Sequence, residues 1–262
     1  MKTAILFLIL ASQLFSCGNS APDHSPQFVR ASVASEPKPE VSASPAVAMP
    51  APISGVKKMG PGEFAISFET NIPNLKTDSP YARQVILANI HRYQELKHQE
   101  IQDALDRQRE GAFESQCERI FSRRHTPTDI CWLAQLESAW KSEALSHSGA
   151  YGYWQFEEFV ALQYGLGHQN GVDMRTQFEP STIAASELLR DNHRSLGDWA
   201  LAIAAYNGGA GTLRRAVEAS GSSDFWYLAR NGYLPRETTN YVPAMIANIA
   251  IGKNPELYGF SR

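Results

Sequence analysis

The chain of 262 residues is short of charge, of cysteine and of long apolar runs, and each shortage excludes something. Only 19% of residues are charged and the formal net charge is -3, so no basic field draws the chain to nucleic acid. Outside one stretch at the N-terminus, no run approaches the roughly 20 apolar residues of a membrane-spanning helix, which excludes a polytopic membrane protein. Cysteines number three, and no ligand-spaced Cys or His lies beside Cys117 or Cys131, so no metal site is expected there; the sequence implies no organic cofactor either. Aromatic residues nearly vanish from 18–62, which hold Phe28 alone, while 8 of the 15 prolines fall there. Such a segment buries too little apolar surface to offset its chain entropy. It is expected to be a disordered tether, spanning roughly 35–40 Å on average. Chemistry is therefore sought in residues 63–262.

At the N-terminus, Lys2 precedes the apolar run 4–11 and then Leu14-Phe15-Ser16-Cys17. A positive start, an apolar region too short to span and a small residue before a cysteine resemble a bacterial lipoprotein signal. The resemblance implies a signal peptide over 1–16, cleavage before Cys17 and acylation of that residue. With Gly18 following, it also implies an outer-membrane lipoprotein facing the periplasm. The competing reading is an ordinary secretory signal with a coincidental cysteine, and both readings export the chain. Cys117 and Cys131 are then an even pair in an oxidising compartment, either a disulfide or two buried free thiols.

Beyond the tether the pattern is helical. Asp78-Ser79-Pro80 offers a cap and a first-turn proline, and Val85, Ile86, Ile90, Tyr93, Leu96, Ile101 and Leu105 continue one stripe behind it. Thr126-Pro127 starts a second helix running to Ala139, and a third is read over 155–164, stopped by Gly165 and Gly167. Pro180 opens a fourth, and Asp198 caps a fifth over 199–206 that is apolar nearly all round and so buried. A sixth spans 212–219 and a last 237–251. No convincing strand pair stands out. The expected architecture is all-α, or mainly α: a helical segment over 63–124, a catalytic domain over 125–252 and a C-terminal tail over 253–262.

Ile130, Leu133 and Ala134 lie at i, i+3 and i+4, and the next position on that face is Glu137. A carboxyl that continues an apolar stripe to a helix C-terminus is disfavoured as an anion by desolvation and by the helix dipole. Its raised pKa suits a general acid near neutrality. Alone, such a residue is more often a plain helix boundary than a catalyst.

Four motifs follow in order: Glu137-Ser138, Gly152-Tyr153-Trp154-Gln155-Phe156, Ala205-Tyr206-Asn207-Gly208-Gly209, and Glu237-Thr238-Thr239-Asn240-Tyr241-Val242. Together they resemble the catalytic domain of lytic transglycosylases, lysozyme-like enzymes that cut peptidoglycan, most of all the membrane-bound D type. The resemblance implies a lysozyme-like helical fold, peptidoglycan glycan strands as partner and cleavage of the MurNAc-GlcNAc β-1,4 bond with 1,6-anhydroMurNAc formation. It casts Glu137 as general acid and then base, with no second catalytic carboxylate, the substrate's N-acetyl oxygen standing in for one. Ser138 would steady Glu137 or the substrate, Gln155 would line the cleft floor, and Tyr206 and Asn207 would contact sugar and Glu137 from the opposite side. Tyr241 would hydrogen-bond the catalytic carboxyl, and the membrane would be reached through the lipid anchor.

Each residue also has a plainer reading: Gly149 and Gly152 as a turn, Trp154 as core, Asn207-Gly208-Gly209 as a helix end, the tyrosines as buried aromatics needing a partner. At the level of function the alternatives are a lysozyme-type hydrolase and a non-catalytic glycan-binding or scaffolding lipoprotein. The sequence departs from the family pattern in Tyr153, where leucine is usual, and in Glu157-Glu158-Phe159-Val160, which replaces a Met-Pro-x-Thr turn. It departs again in Glu179-Pro180, a poorer cap than Asp-Pro.

Overall fold

The computed structural model describes residues 68–262; the expected signal peptide, Cys17 and tether lie outside them. Ten α-helices are present among the described residues, and the mainly-α expectation holds. α1 (Pro80–Leu96) starts as its sequence dictates, with Ser79 Oγ accepting from the Ala82 amide at 3.1 Å and Pro80 in the first turn. The single stripe read through Leu105 is in fact broken. Lys97 ends α1, α2 spans His98–Gly111, and a left-handed Ala112 separates it from α3 (Phe113–Arg123). Apolar periodicity survives these breaks because each new helix turns the same kind of face inward, so spacing alone did not reveal them.

The expected second helix is also divided. Thr128–Trp132 is a 3₁₀ turn, and only Leu133–Ser138 is α-helical (α4). The third helix shrinks to α5 (Glu158–Gln163), leaving Gln155 in a turn. A two-residue hairpin, β1 (His168–Gln169) with β2 (Val172–Asp173), stands where no strand pair was expected, its turn made by Asn170 and Gly171 at positive φ. α6 (Phe178–Leu196) begins ahead of Pro180 with Gln177 as its cap, so Glu179 is not the cap but a first-turn acid, a favourable place on the helix dipole.

α7 (Trp199–Gly208) is capped by Asp198, whose Oδ1 accepts from the Leu201 amide at 3.0 Å, and Trp199 through Ala205 are all buried. α8 (Ala210–Ser220) and α9 (Phe225–Arg230) lead to α10 (Arg236–Lys253), buried from Tyr241 through Ile251. α7 and α10 pack on each other, with α1 outside α10 and α6 outside α7. Two helices apolar all round must be central, and these two make the core against which the remaining elements lay a single face. Cys117 on α3 and Cys131 in the 3₁₀ turn form a disulfide, which decides between the two readings of that pair. Closing a loop of this length stabilises by about 3 kcal/mol.

Candidate active site

The stripe that carries Glu137 is buried as expected: Ile130, Leu133 and Ala134 are fully inside. Glu137 itself keeps partial exposure one turn later. Its carboxyl is pushed up to about 7, chiefly by desolvation and further by the negative charge of Glu237, with the Tyr241 hydrogen bond pulling the other way. Tyr241 donates its hydroxyl to Glu137 Oε1. Burial, then the Glu137 charge, raise Tyr241 well above the ordinary tyrosine range, and the same two causes raise Tyr206. Both phenols therefore remain neutral donors at neutral pH.

The chain leaves α4 through two consecutive left-handed residues without glycine, Ala139 (φ 52°) and Trp140 (φ 61°). Such residues cost on the order of 1 kcal/mol each and persist only where the surroundings hold them. Trp140 is buried, donates its indole N–H to Gln135 Oε1 at 3.1 Å and stacks on Phe113. Gln135 in turn donates to Asn248 of α10 at 2.9 Å, and Arg107 of α2 donates to the Ala139 carbonyl. Neither Gln135 nor Arg107 was singled out from the sequence.

The turn over 149–156 faces this helix end. Ser138 Oγ lies 2.7 Å from the Tyr153 carbonyl and 3.1 Å from that of Ala134, and Tyr206 donates to the Trp154 carbonyl at 2.9 Å. Gln155, left-handed at φ 49°, donates Nε2 to the Ala144 and Gly152 carbonyls at 2.8 and 2.9 Å. Thus Ser138, Tyr206 and Gln155 give their donors to the turn's own backbone or to the segment leading into it, and among the described residues Tyr241 alone hydrogen-bonds the Glu137 carboxyl. Trp154 is fully buried and bonded to Thr182, a core residue as its plainer reading had it. Asn207 sits on another seam. It donates to Glu237 Oε1 and accepts from Thr238 Oγ1, each at 2.9 Å, tying the end of α7 to the start of α10. Gly208 is required there, since a Cβ would lie 2.7 Å from Thr238 Oγ1.

Two residues missed by the sequence reading matter. Arg175, buried and paired with Asp173 at 2.6 Å, donates to the Phe156 carbonyl at 3.1 Å and lies over the Tyr151 ring, clamping the turn from behind. The turn must approach it closely, because a Cβ on Gly152 would lie 2.0 Å from the Arg175 carbonyl oxygen. Arg175 follows a strand pair too short to read, and nothing local marks it. Glu237 is a second carboxylate within electrostatic reach of Glu137, and it stood inside the fourth motif without a role.

The Transglycosylase SLT domain matches residues 119–229. That span starts before residue 125 and ends ahead of the Tyr241 helix. The membrane-bound lytic murein transglycosylase D of Escherichia coli strain K12 is 37% identical over 142 residues, which cover 52% of this chain and 30% of that protein. The protein of the same name from E. coli O6:H1 gives the same figures. This chain thus matches less than a third of the length of these curated relatives. Among solved structures, the 70 kDa soluble lytic transglycosylase of E. coli is 18% identical, with a TM-score of 0.45 over 71% of this chain and 32% of that one.

Proposed function

Because residues 119–229 match the transglycosylase SLT domain, we propose that this chain is a peptidoglycan lytic transglycosylase with Glu137 as its acid and base. The observation that carries the proposal is a carboxyl held at about 7 with one oxygen already accepting from Tyr241. Tyr241 occupies Oε1, which leaves Oε2 to carry the acidic proton. In the first step it passes to the glycosidic oxygen as the C1–O4 bond breaks, while the substrate's own N-acetyl oxygen stabilises the anomeric carbon. The Glu137 carboxylate left behind then takes the proton of the C6 hydroxyl as that oxygen closes on C1. The products are a GlcNAc 4-hydroxyl end and a 1,6-anhydroMurNAc end, with no water consumed. A group that gives and then recovers one proton works best with a pKa near the ambient pH.

Glu237 supports a second reading. Hydrolysis usually employs two carboxylates flanking the scissile bond, and Glu237 acts electrostatically on Glu137. Mass spectrometry of digested sacculi separates the readings, since the anhydro product is one water lighter than a reducing end. Glu137→Gln is expected to abolish solubilisation of sacculi by at least ~100-fold, the low end of a general acid–base contribution. An unchanged rate would remove Glu137 from the reaction, and no solubilisation by either protein would leave a non-catalytic wall-binding domain. We propose in addition that Cys17 carries a lipid anchor, consistent with the membrane-bound relatives. Cys17→Ala should release the exported protein from the membrane fraction, and retention there would refute the anchor.

A further inference from the structure

Behind the end of α4 lies a pocket of about 480 Å³ lined by Arg107, Phe113, Trp140, Lys141, Ser142, Glu143 and Tyr153, a volume suited to a small molecule or short peptide. It contains none of the groups assigned above to the reaction. Its wall is aromatic: Phe113 stacks on Trp140 at 5.9 Å and meets the Tyr153 ring edge-on at 5.3 Å. Its charges are unspent. Arg107 uses one N–H on the Ala139 carbonyl, and neither Arg107 nor Lys141 makes an ion pair among the described residues. Glu143 is exposed and equally unpaired, and Ser142 hydrogen-bonds the Tyr153 hydroxyl. Arg107 comes from α2, outside the span matched by the family, so the pocket is completed by a segment the family match does not include.

We propose that this pocket binds a peptide bearing free carboxylates, namely the stem peptide borne by the glycan strand. The proposal rests on the glycan-cutting reading above. Two cations on different elements match an anionic ligand, and an uncharged sugar would leave them unused. The aromatic wall packs an aliphatic side chain, and Glu143 accepts an ammonium group, so the pocket suits a peptide carrying both signs of charge. Through Ser138 and the Tyr153 carbonyl, the pocket shares its Tyr153 wall with the turn that faces Glu137.

Lys141 is the residue to test, since its side chain is exposed and Arg107→Ala would also free the Ala139 carbonyl. The full-length chain and its Lys141→Glu variant are compared on sacculi and on glycan strands stripped of peptide by an amidase, their freed lactyl carboxylates capped as methyl amides. Fluorescence anisotropy with a labelled stem tripeptide reads binding directly. The expected result is a fall of about tenfold in kcat/KM on peptide-bearing glycan, with stripped glycan unaffected, and weaker tripeptide binding that Lys141→Arg restores. Equal loss on both glycans, or no change in activity and binding, overturns the pocket and leaves the reaction standing. Tripeptide binding that depends on Lys141, in a protein that cuts neither glycan, overturns the reaction and keeps the pocket. A wild-type chain that neither cuts nor binds overturns both.

Discussion

Glu137 lies between two walls built on different principles. On the α10 side, Tyr241 touches the carboxyl and Glu237 acts on it through charge, so this wall sets protonation. On the turn side, Ser138, Tyr206, Gln155 and Arg175 hold backbone carbonyls, so this wall sets shape. Side chains in a motif need not all face the substrate. Several hold a short, irregular turn, because such a turn has few hydrogen bonds of its own and depends on borrowed donors.

That division can be broken in both directions. Arg175→Ala should have the largest effect on stability, removing the ion pair with the half-buried Asp173 and the donor to the Phe156 carbonyl, and costing about 2 kcal/mol in urea unfolding. Its residual activity should keep the wild-type pH profile, and a displaced profile would assign Arg175 to the wrong wall. Tyr241→Phe should lower kcat by about 10- to 100-fold, the worth of one hydrogen bond to a charged group. Because that bond favours the carboxylate, its loss raises the Glu137 pKa, and the alkaline limb of the rate should move up from about 7. Ser138→Ala should cost about 1 kcal/mol of stability and leave the alkaline limb in place. Glu237→Gln should change the maximal rate least while moving the limb down, since a repelling negative charge is gone. Opposite displacements from two substitutions on α10, and none from two on the turn side, are the signature sought in pH–rate profiles.

Stability carries the same sign. The folded Glu137 pKa stands above its ordinary value of 4.5, so the group's contribution is present in acid and lost as pH rises to about 7. Glu137→Gln should therefore raise the melting temperature above pH 7 and do little at pH 4, as scanning calorimetry would read.

The sequence was informative wherever one residue reports its own surroundings. An apolar stripe ending in Glu137 named a desolvated acid, Asp198 named a cap, and the apolar run 199–206 named a buried helix. The bond from Tyr241 to Glu137 was reached through family resemblance, and the geometry agrees. What was not legible depends on partners distant in the chain. Ser138, expected at the carboxyl or the sugar, holds the Tyr153 carbonyl, and Asn207 holds Glu237 and Thr238. Arg175 gave no signal because its clamp exists only after the hairpin and the turn have met. The helix break at Lys97 was hidden for a similar reason, since no local stop residue marks it, whereas the break at Ala112 follows Gly111, a stop signal that the apolar stripe masked.

α10 meets the segment from the 3₁₀ turn to Trp140 at four points. Tyr241 reaches Glu137, and Asn248 reaches Gln135. Gly252 lets Trp132 in where a Cβ would lie 2.0 Å from its ring, and Lys253 bonds Asp129 at 2.7 Å. Two elements joined at so many places have no cheap way to separate, so they should open to solvent as one cooperative unit. In deuterium exchange, the amides of α4 and α10 should then lose protection together and late, alongside the global transition. In the proposed reaction Glu137 would thus ride on the slowest-breathing part of the molecule, and adaptation to an incoming glycan strand would fall to the elements around it.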